Sequence, residues 1–241
     1  MTISLYALHG FLGLPSDWDT FKSLKQATHL HRVNLFDHAF YVKGKGFKSW
    51  AESFNAHIRE KYQTSERVLL GYSLGSRLAM HALLASPPLW SAAILVAGNL
   101  GLHSENERTS RREADLRWAE DFKVGQWEDL LLKWNAQSAF GGFPSHFRRN
   151  EEAFSREQLV DALMTWSLSN QDNLKAQIQS LNIPILWIVG EMDVKYVLMA
   201  QTLNLKHPKS IVLTISEAAH RVPWERPVEF ESHVVNFLKT L

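Results

Sequence analysis

Ser73 is the first residue in this sequence whose surroundings could make it reactive. The string Arg67-Val68-Leu69-Leu70-Gly71-Tyr72-Ser73-Leu74-Gly75-Ser76-Arg77-Leu78-Ala79-Met80 reads as strand, sharp turn and helix, with Gly-x-Ser-x-Gly at the corner. Side chains at Gly71 or Gly75 are expected to collide with neighbouring backbone in so tight a turn. A serine hydroxyl does not lose its proton unaided, so a histidine and a carboxylate should arrive later in the chain. Asp193, in Gly190-Glu191-Met192-Asp193, follows the apolar run Ile183 to Val189 and so sits at the carboxyl end of a strand. Glu191 is its rival, but Asp193 lies further into the loop; its other reading is a helix N-cap. His220 follows the run Ser210 to Ile215 and precedes Pro223 and an amphipathic helix. With eleven histidines in the chain, topology alone singles out His220, and His57, His81 and His207 are assigned to helix surfaces or satisfied core positions. His29 and His31 have no third ligand near them, so neither metal nor cofactor is expected.

Negative charge developing on a substrate oxygen needs fixed donors. Leu74 N–H, just after the serine, is one candidate, and Phe11 N–H in His9-Gly10-Phe11 is the other, with Gly10 allowing close backbone approach. Arg77 stands one helical turn beyond Ser73, where its guanidinium could clamp a carboxylate bidentately. Further along, Arg108, Arg111, Arg112 and Arg117 cluster, and Trp118 and Trp134 could line the apolar part of a pocket. Arg111 and Asp115 are four apart, however, which fits an ordinary solvated ion pair equally well.

These residues need a scaffold that delivers them to one edge. Short apolar runs recur at Ile3 to Leu8, Val33 to Phe36, Val68 to Leu70, Ala92 to Val96, Ile183 to Val189 and Ser210 to Ile215. Helical patterns such as Trp50, Phe54, Ile58 and Tyr62 lie between them, so the expectation is a mostly parallel sheet flanked by helices. From about Gly101 to Gln177 no strand pattern appears. Helical segments at Ser104 to Phe122, Trp127 to Gln137 and Phe154 to Leu168 form a cap (101–177) inserted in a core of 1–100 and 178–241, with a break and a hinge at Phe140-Gly141-Gly142-Phe143-Pro144.

Composition narrows the function classes. Of 241 residues 45% are hydrophobic and 21% charged, and 26 basic against 25 acidic side chains leave a net charge of +1, so no global field favours nucleic acid or an anionic membrane. Cysteine is absent, which excludes disulfides and thiolate metal sites. The opening Met1-Thr2-Ile3-Ser4-Leu5-Tyr6 carries no cationic leader, and no run approaches a membrane span, so the expected location is the cytoplasm. Oligomeric state is left open.

The Ser, Asp, His order and the elbow are those of the α/β-hydrolase fold. Within that fold, Leu70 to Met80, His9-Gly10-Phe11, Gly101-Leu102 through Arg108, Arg111, Asp115, Trp118 and Phe122, and Gly190-Glu191-Met192-Asp193-Val194-Lys195-Tyr196 resemble the MenH family of menaquinone-pathway synthases over most of the chain. The resemblance implies elimination of pyruvate to form succinyl-hydroxycyclohexadiene carboxylate, with Ser73, His220 and Asp193 acting on a proton rather than through an acyl-enzyme. It also implies that Tyr72, Arg77, Arg111 and Trp134 bind a carboxylated small molecule. Two positions depart from the family pattern. No arginine stands at Met164-Thr165-Trp166, where a third substrate arginine is usual, and Asn34-Leu35-Phe36-Asp37-His38-Ala39-Phe40 replaces the family's Asp-Leu-Pro-Gly-His-Gly loop. Arg148, Arg149 and Arg156 are the candidate replacements. The alternative is a serine esterase or C–C hydrolase of a small carboxylated substrate; a noncatalytic binding protein on the same scaffold is the third reading.

Overall fold

The computed structural model describes residues 3–62 and 66–241; Met1 and Thr2 of the opening stretch lie outside the described residues. In chain order the elements are β1 (Ile3–Leu8), α1 (Lys22–Ala27), β2 (Thr28–Val33), α2 (Phe47–Lys61), β3 (Arg67–Tyr72), α3 (Leu74–Ala85) and β4 (Ala92–Val96). They continue with α4 (Glu105–Val124), α5 (Trp127–Asn135), α6 (Arg156–Thr165), α7 (Lys175–Ser180), β5 (Ile185–Gly190), α8 (Val194–Gln201), β6 (Ile211–Ile215), α9 (Val222–Glu225) and α10 (Pro227–Leu238).

The strands form one sheet in the order β2-β1-β3-β4-β5-β6, every neighbouring pair parallel. β4 and β5 are buried along their whole length, as their unbroken apolar sequences require when helices cover both faces. One face packs against α2, α3 and α7 through Trp50, Phe54, Leu78 and Ile178. The other packs against α1 and α10 through Leu24, Phe230, Val234 and Phe237. The chain moves outward from β1 to β2 and then returns to place β3 on the far side of β1. A crevice opens where connections diverge in this way, at the carboxyl ends of the strands. The loops after β1 and β3, carrying Phe11 and Ser73, flank it.

Five strands lie at or within two residues of the predicted runs. The one predicted at Val33 to Phe36 is instead β2 at Thr28–Val33, and Asn34 to Asp37 form a turn closed by Asp37 N–H on Asn34 O at 3.1 Å. β2 is an edge strand with His29, Leu30, His31 and Arg32 partly or fully exposed, so it needs no continuous apolar run. Leu35 and Phe36 are apolar for another reason. Leu35 is buried beneath α2, its carbonyl accepting from Trp50 Nε1 at 2.9 Å, and Phe36 stacks 5.5 Å from Trp166.

Between β4 and β5 the chain is helical and irregular. α4 begins at a capping box, in which Ser104 accepts from Glu107 N–H and the Glu107 carboxylate accepts from Ser104 N–H. α4, α5 and α6 share a small core of Phe122, Trp127, Leu130, Leu159 and Leu163 that also takes in Leu12 from the β1 loop. α7 spans the expected cap–core boundary and sends Ile178 into the main core. The break after Phe140 is real: Gly141 and Gly142 both adopt positive φ, 58° and 76°. Among the described residues no helix is long and apolar enough to cross a membrane.

Candidate active site

At the corner between β3 and α3, Ser73 adopts φ 52°, ψ −111°, a conformation an L-residue holds only when its surroundings enforce it. They do so by close approach. A Cβ on Gly71 would lie 2.6 Å from Gly75 O, and one on Gly75 would lie 2.4 Å from Leu8 O, so both glycines are required where the motif places them. Ser76, which the sequence reading passed over, stitches the corner together. Its hydroxyl sits 2.6 Å from Gly71 O and 2.7 Å from Val96 O, and accepts from Val96 N–H at 3.0 Å.

The Ser73 hydroxyl is 2.9 Å from His220 Nε2, and His220 Nδ1 is 2.6 Å from Asp193 Oδ2. Asp193 and His220 are buried, so this pair is held away from bulk water. The carboxylate fixes the tautomer in which Nδ1 carries the proton and Nε2 is free to accept one. Glu191, the rival acid, is exposed and instead accepts from Glu217 N–H at 3.1 Å. Gly190 has a role the motif did not reveal: a Cβ there would meet Ala219 O at 2.1 Å and Ala218 O at 2.4 Å, so the end of β5 and the His220 loop are in direct backbone contact.

Phe11 and Leu74 both border the cavity beside Ser73. Leu74 opens α3, where no helical carbonyl can accept its N–H. The loop bearing Phe11 is braced by His9, whose Nδ1–H donates to Gly10 O at 2.8 Å while Nε2 accepts from Leu35 N–H at 3.5 Å. Full burial drives the His9 pKa down to about 4, keeping it neutral and able to make both bonds. Gly10 makes room for Tyr72, since a Cβ there would stand 2.8 Å from the tyrosine ring.

The cavity has a volume of about 200 Å³. Tyr72, Arg77, Arg111 and Trp134, the four residues that the family resemblance assigns to ligand binding, all line it. Arg77 is less free than the sequence suggested. Its Nε donates to Gln171 Oε1 at 2.8 Å and its Nη2 to Trp166 O at 2.5 Å, and its guanidinium lies 4.9 Å from the Phe47 ring. Burial, reinforced by the Arg111 charge, lowers its pKa to about 9, which leaves it a cation at neutral pH. Arg111 does pair with Asp115, at 2.8 Å, but that carboxylate is buried and also takes the Ser167 hydroxyl at 2.6 Å, so the pair belongs to the cavity wall rather than to a solvated face.

Other candidates fall outside. Trp118 packs behind Trp134 at 4.9 Å without reaching the cavity, Arg108 braces the carbonyls of Ser169 and Gln171, and Arg112 and Arg117 are exposed. Of the three candidate replacement arginines, Arg148 is exposed and Arg156 holds the carbonyls of Phe122 and Gly125. Arg149 reaches the cavity but is committed, donating both terminal nitrogens to Asp17 at 2.7 Å each. The arginine the sequence reading missed is Arg221, directly after His220 and at the cavity wall. Adjacency to the histidine was the signal that could have found it.

Comparisons with known proteins bear on the fold and the family. A family model described as serine aminopeptidase, S33, matches residues 50–207. The 2-succinyl-6-hydroxy-2,4-cyclohexadiene-1-carboxylate synthase of Yersinia enterocolitica is 30% identical over 96% of this chain and 85% of its own length. The synthase of the same name from Pectobacterium atrosepticum is 29% identical over 97% and 93%. Among solved structures, MenH from S. aureus superposes with a TM-score of 0.87 at 22% identity, covering 100% of this chain and 95% of that one. A malate-bound esterase from Thermogutta terrifontis gives 0.71 at 17% identity over 100% and 90%. With a family model matched over more than half its length and a synthase relative aligned along nearly all of it, the chain belongs to the α/β-hydrolase superfamily, within the family of these MenH-type synthases.

Proposed function

We propose that this protein is a lyase that eliminates pyruvate from a carboxylated cyclohexene, giving the cyclohexadiene carboxylate its synthase relatives are named for, and that Ser73, His220 and Asp193 are its catalytic residues. The observation that carries the reading is a serine–histidine–aspartate chain of 2.9 and 2.6 Å opening on a cavity walled by Arg77 and Arg111. Cationic walls suit a substrate bearing carboxylates and disfavour a fatty ester.

His220 Nε2 takes the Ser73 proton, and Ser73 Oγ removes a proton from the carbon next to the succinyl carbonyl. The electron pair moves onto the carbonyl oxygen, where Leu74 and Phe11 N–H stabilise the enolate. As the enolate collapses, its electron pair forms a new ring double bond, the existing ring double bond shifts along the ring, the ring bond to the enolpyruvyl oxygen breaks, and the departing enolate takes up the proton held on His220 to become pyruvate. No acyl-enzyme forms, so Ser73 acts as a base under the control of His220. Helices α4 to α6 act as the cap, delivering Arg111 and Trp134 over the site and excluding water.

One observation favours hydrolysis instead. The 164–166 segment offers the cavity Trp166, whose carbonyl is already taken by Arg77, where the synthase pattern has an arginine. The same triad would then acylate on Ser73 and hydrolyse a small carboxylated ester or C–C bond. Purified protein is assayed for pyruvate release from the synthase substrate beside a panel of short p-nitrophenyl esters, with Ser73→Ala as control. Release lost by at least a thousandfold in the variant is the expected result. Ester cleavage without pyruvate release establishes the hydrolase, and undiminished turnover in Ser73→Ala overturns the triad for either reaction.

A further inference from the structure

Of the arginines at the cavity wall, two are matched by carboxylates and two are not. Arg111 pairs with Asp115 and Arg149 with Asp17. Arg77 donates to the neutral oxygens of Gln171 and Trp166 and forms no ion pair among the described residues. Arg221 is held by Asn135 Oδ1 at Nη2, and its guanidinium lies 3.7 Å over the Phe140 ring. Its Nη1 is shielded from water and has no hydrogen-bond partner among the described residues. The nearby Glu225 attracts it without contact: one carboxylate oxygen takes Ala219 N–H, and among the described residues no ion pair joins the two side chains.

Arg221 is half-buried, but its Nη1 is shielded from water without a hydrogen bond, which is costly to keep, and the protein has spent a ring and an amide on fixing this side chain in place. Burial pulls the Arg221 pKa down, while Tyr72 and Glu225 act in the opposite direction. Its position is the second observation. Arg77 lies a helical turn beyond Ser73 on α3, and Arg221 follows the histidine that bonds Ser73. The unmatched cations therefore belong to the two structural arms that meet at the serine hydroxyl.

We propose that Arg221 is a carboxylate-binding residue of this site, acting with Arg77 so that the cavity selects a ligand with two anionic groups, one on each side of the atom facing Ser73. This deepens the proposed function by assigning one of the substrate's carboxylates to a residue on the histidine loop. A carboxylate in the cavity would be met by the part of the guanidinium that Asn135 and the Phe140 ring leave accessible. The Phe140 ring fixes the guanidinium plane, so Lys at this position would keep the charge and lose the geometry.

The test reads binding, independently of turnover. Intrinsic tryptophan fluorescence, with Trp134 and Trp224 at the cavity wall, is titrated with linear dicarboxylates from succinate to suberate, their monoamides and their diamides. The wild type should prefer one dicarboxylate length over its monoamide by roughly tenfold to a hundredfold. Arg221→Gln, which can still reach Asn135, should erase that preference while binding the monoamide as before, and Arg221→Lys should restore part of it. Unfolding midpoints confirm that each variant is folded. A wild type indifferent to the second carboxylate, or an Arg221→Gln variant that weakens dicarboxylate and diamide equally, overturns the assignment. Because pyruvate release is not the readout, a protein that proves to be a hydrolase can still pass or fail this test.

Discussion

Adding one methyl group at Gly190 should damage stability and activity together, because the position couples β5 to the His220 loop. In Gly190→Ala the new carbon would stand 2.1 Å from Ala219 O and 2.4 Å from Ala218 O, both backbone atoms that no side-chain rotation can move aside. Reaching ordinary van der Waals separation requires the 218–220 segment to retreat by roughly 1 Å, an overpacking expected to cost about 1–3 kcal/mol. The retreat is transmitted to His220, the next residue, whose Nε2 lies 2.9 Å from Ser73 Oγ and whose Nδ1 lies 2.6 Å from Asp193, distances the proposed triad needs kept. A displacement of this size at a reacting group costs on the order of a hundredfold in rate. Urea unfolding gives the first number and kcat/KM on whichever substrate the wild type turns over gives the second. Gly46→Ala is the control, since a Cβ there would find its nearest neighbour at 3.9 Å. If Gly190→Ala matched the wild type in both measurements, the claim that backbone contact at this point sets the histidine's position would be wrong.

Gln171 touches no substrate in the proposed reaction but orients Arg77, so Gln171→Leu should raise KM about tenfold with a smaller change in kcat; equal loss in both would assign it a different role. His81, stacked 4.5 Å from Phe47 with its Nε2 unpartnered, has its pKa driven down to about 4 by burial and by Arg77. The unfolded chain binds this proton at higher pH than the native one, so the stability is fully present above about pH 6.5 and is lost as pH falls toward 4. At around pH 5 the loss is about 2 kcal/mol, and urea titrations of His81→Phe should show a pH dependence flatter by that amount. An unchanged slope would mean that His81 is solvated in the native state.

The layout of the site was readable because it rests on local patterns with strict steric demands. Gly71 and Gly75 flank Ser73 for reasons of backbone contact that operate within a few residues, and Asp193 and His220 were found from their places after apolar strands. β2 escaped because an edge strand carries no continuous apolar signal, while Leu35 and Phe36 next to it are apolar for packing against α2 and Trp166. The partners of Arg77 were illegible for a different reason: Gln171 and Trp166 are 94 and 89 residues away, and nothing in local spacing announces such a contact. Arg221 lay in plain view beside His220, but its shielded, unpartnered Nη1 exists only in three dimensions. The same holds for Gly190, which reads as a strand end and turns out to be a contact point.

The separations along the chain bear on how the molecule becomes competent. Ser73 and His220 are 147 residues apart, and His220 and Asp193 are 27 apart, so their hydrogen bonds close loops of very different length. A parallel sheet has no hairpin between neighbours, and each pairing must wait for a crossover to form. The Ser73 contact further requires β3, β4, β5 and β6 to be in register before the last loop reaches it. During refolding, native helix content should therefore return ahead of catalytic competence. Recovery of activity then serves as a clock for the slowest long-range step in the folding of this protein.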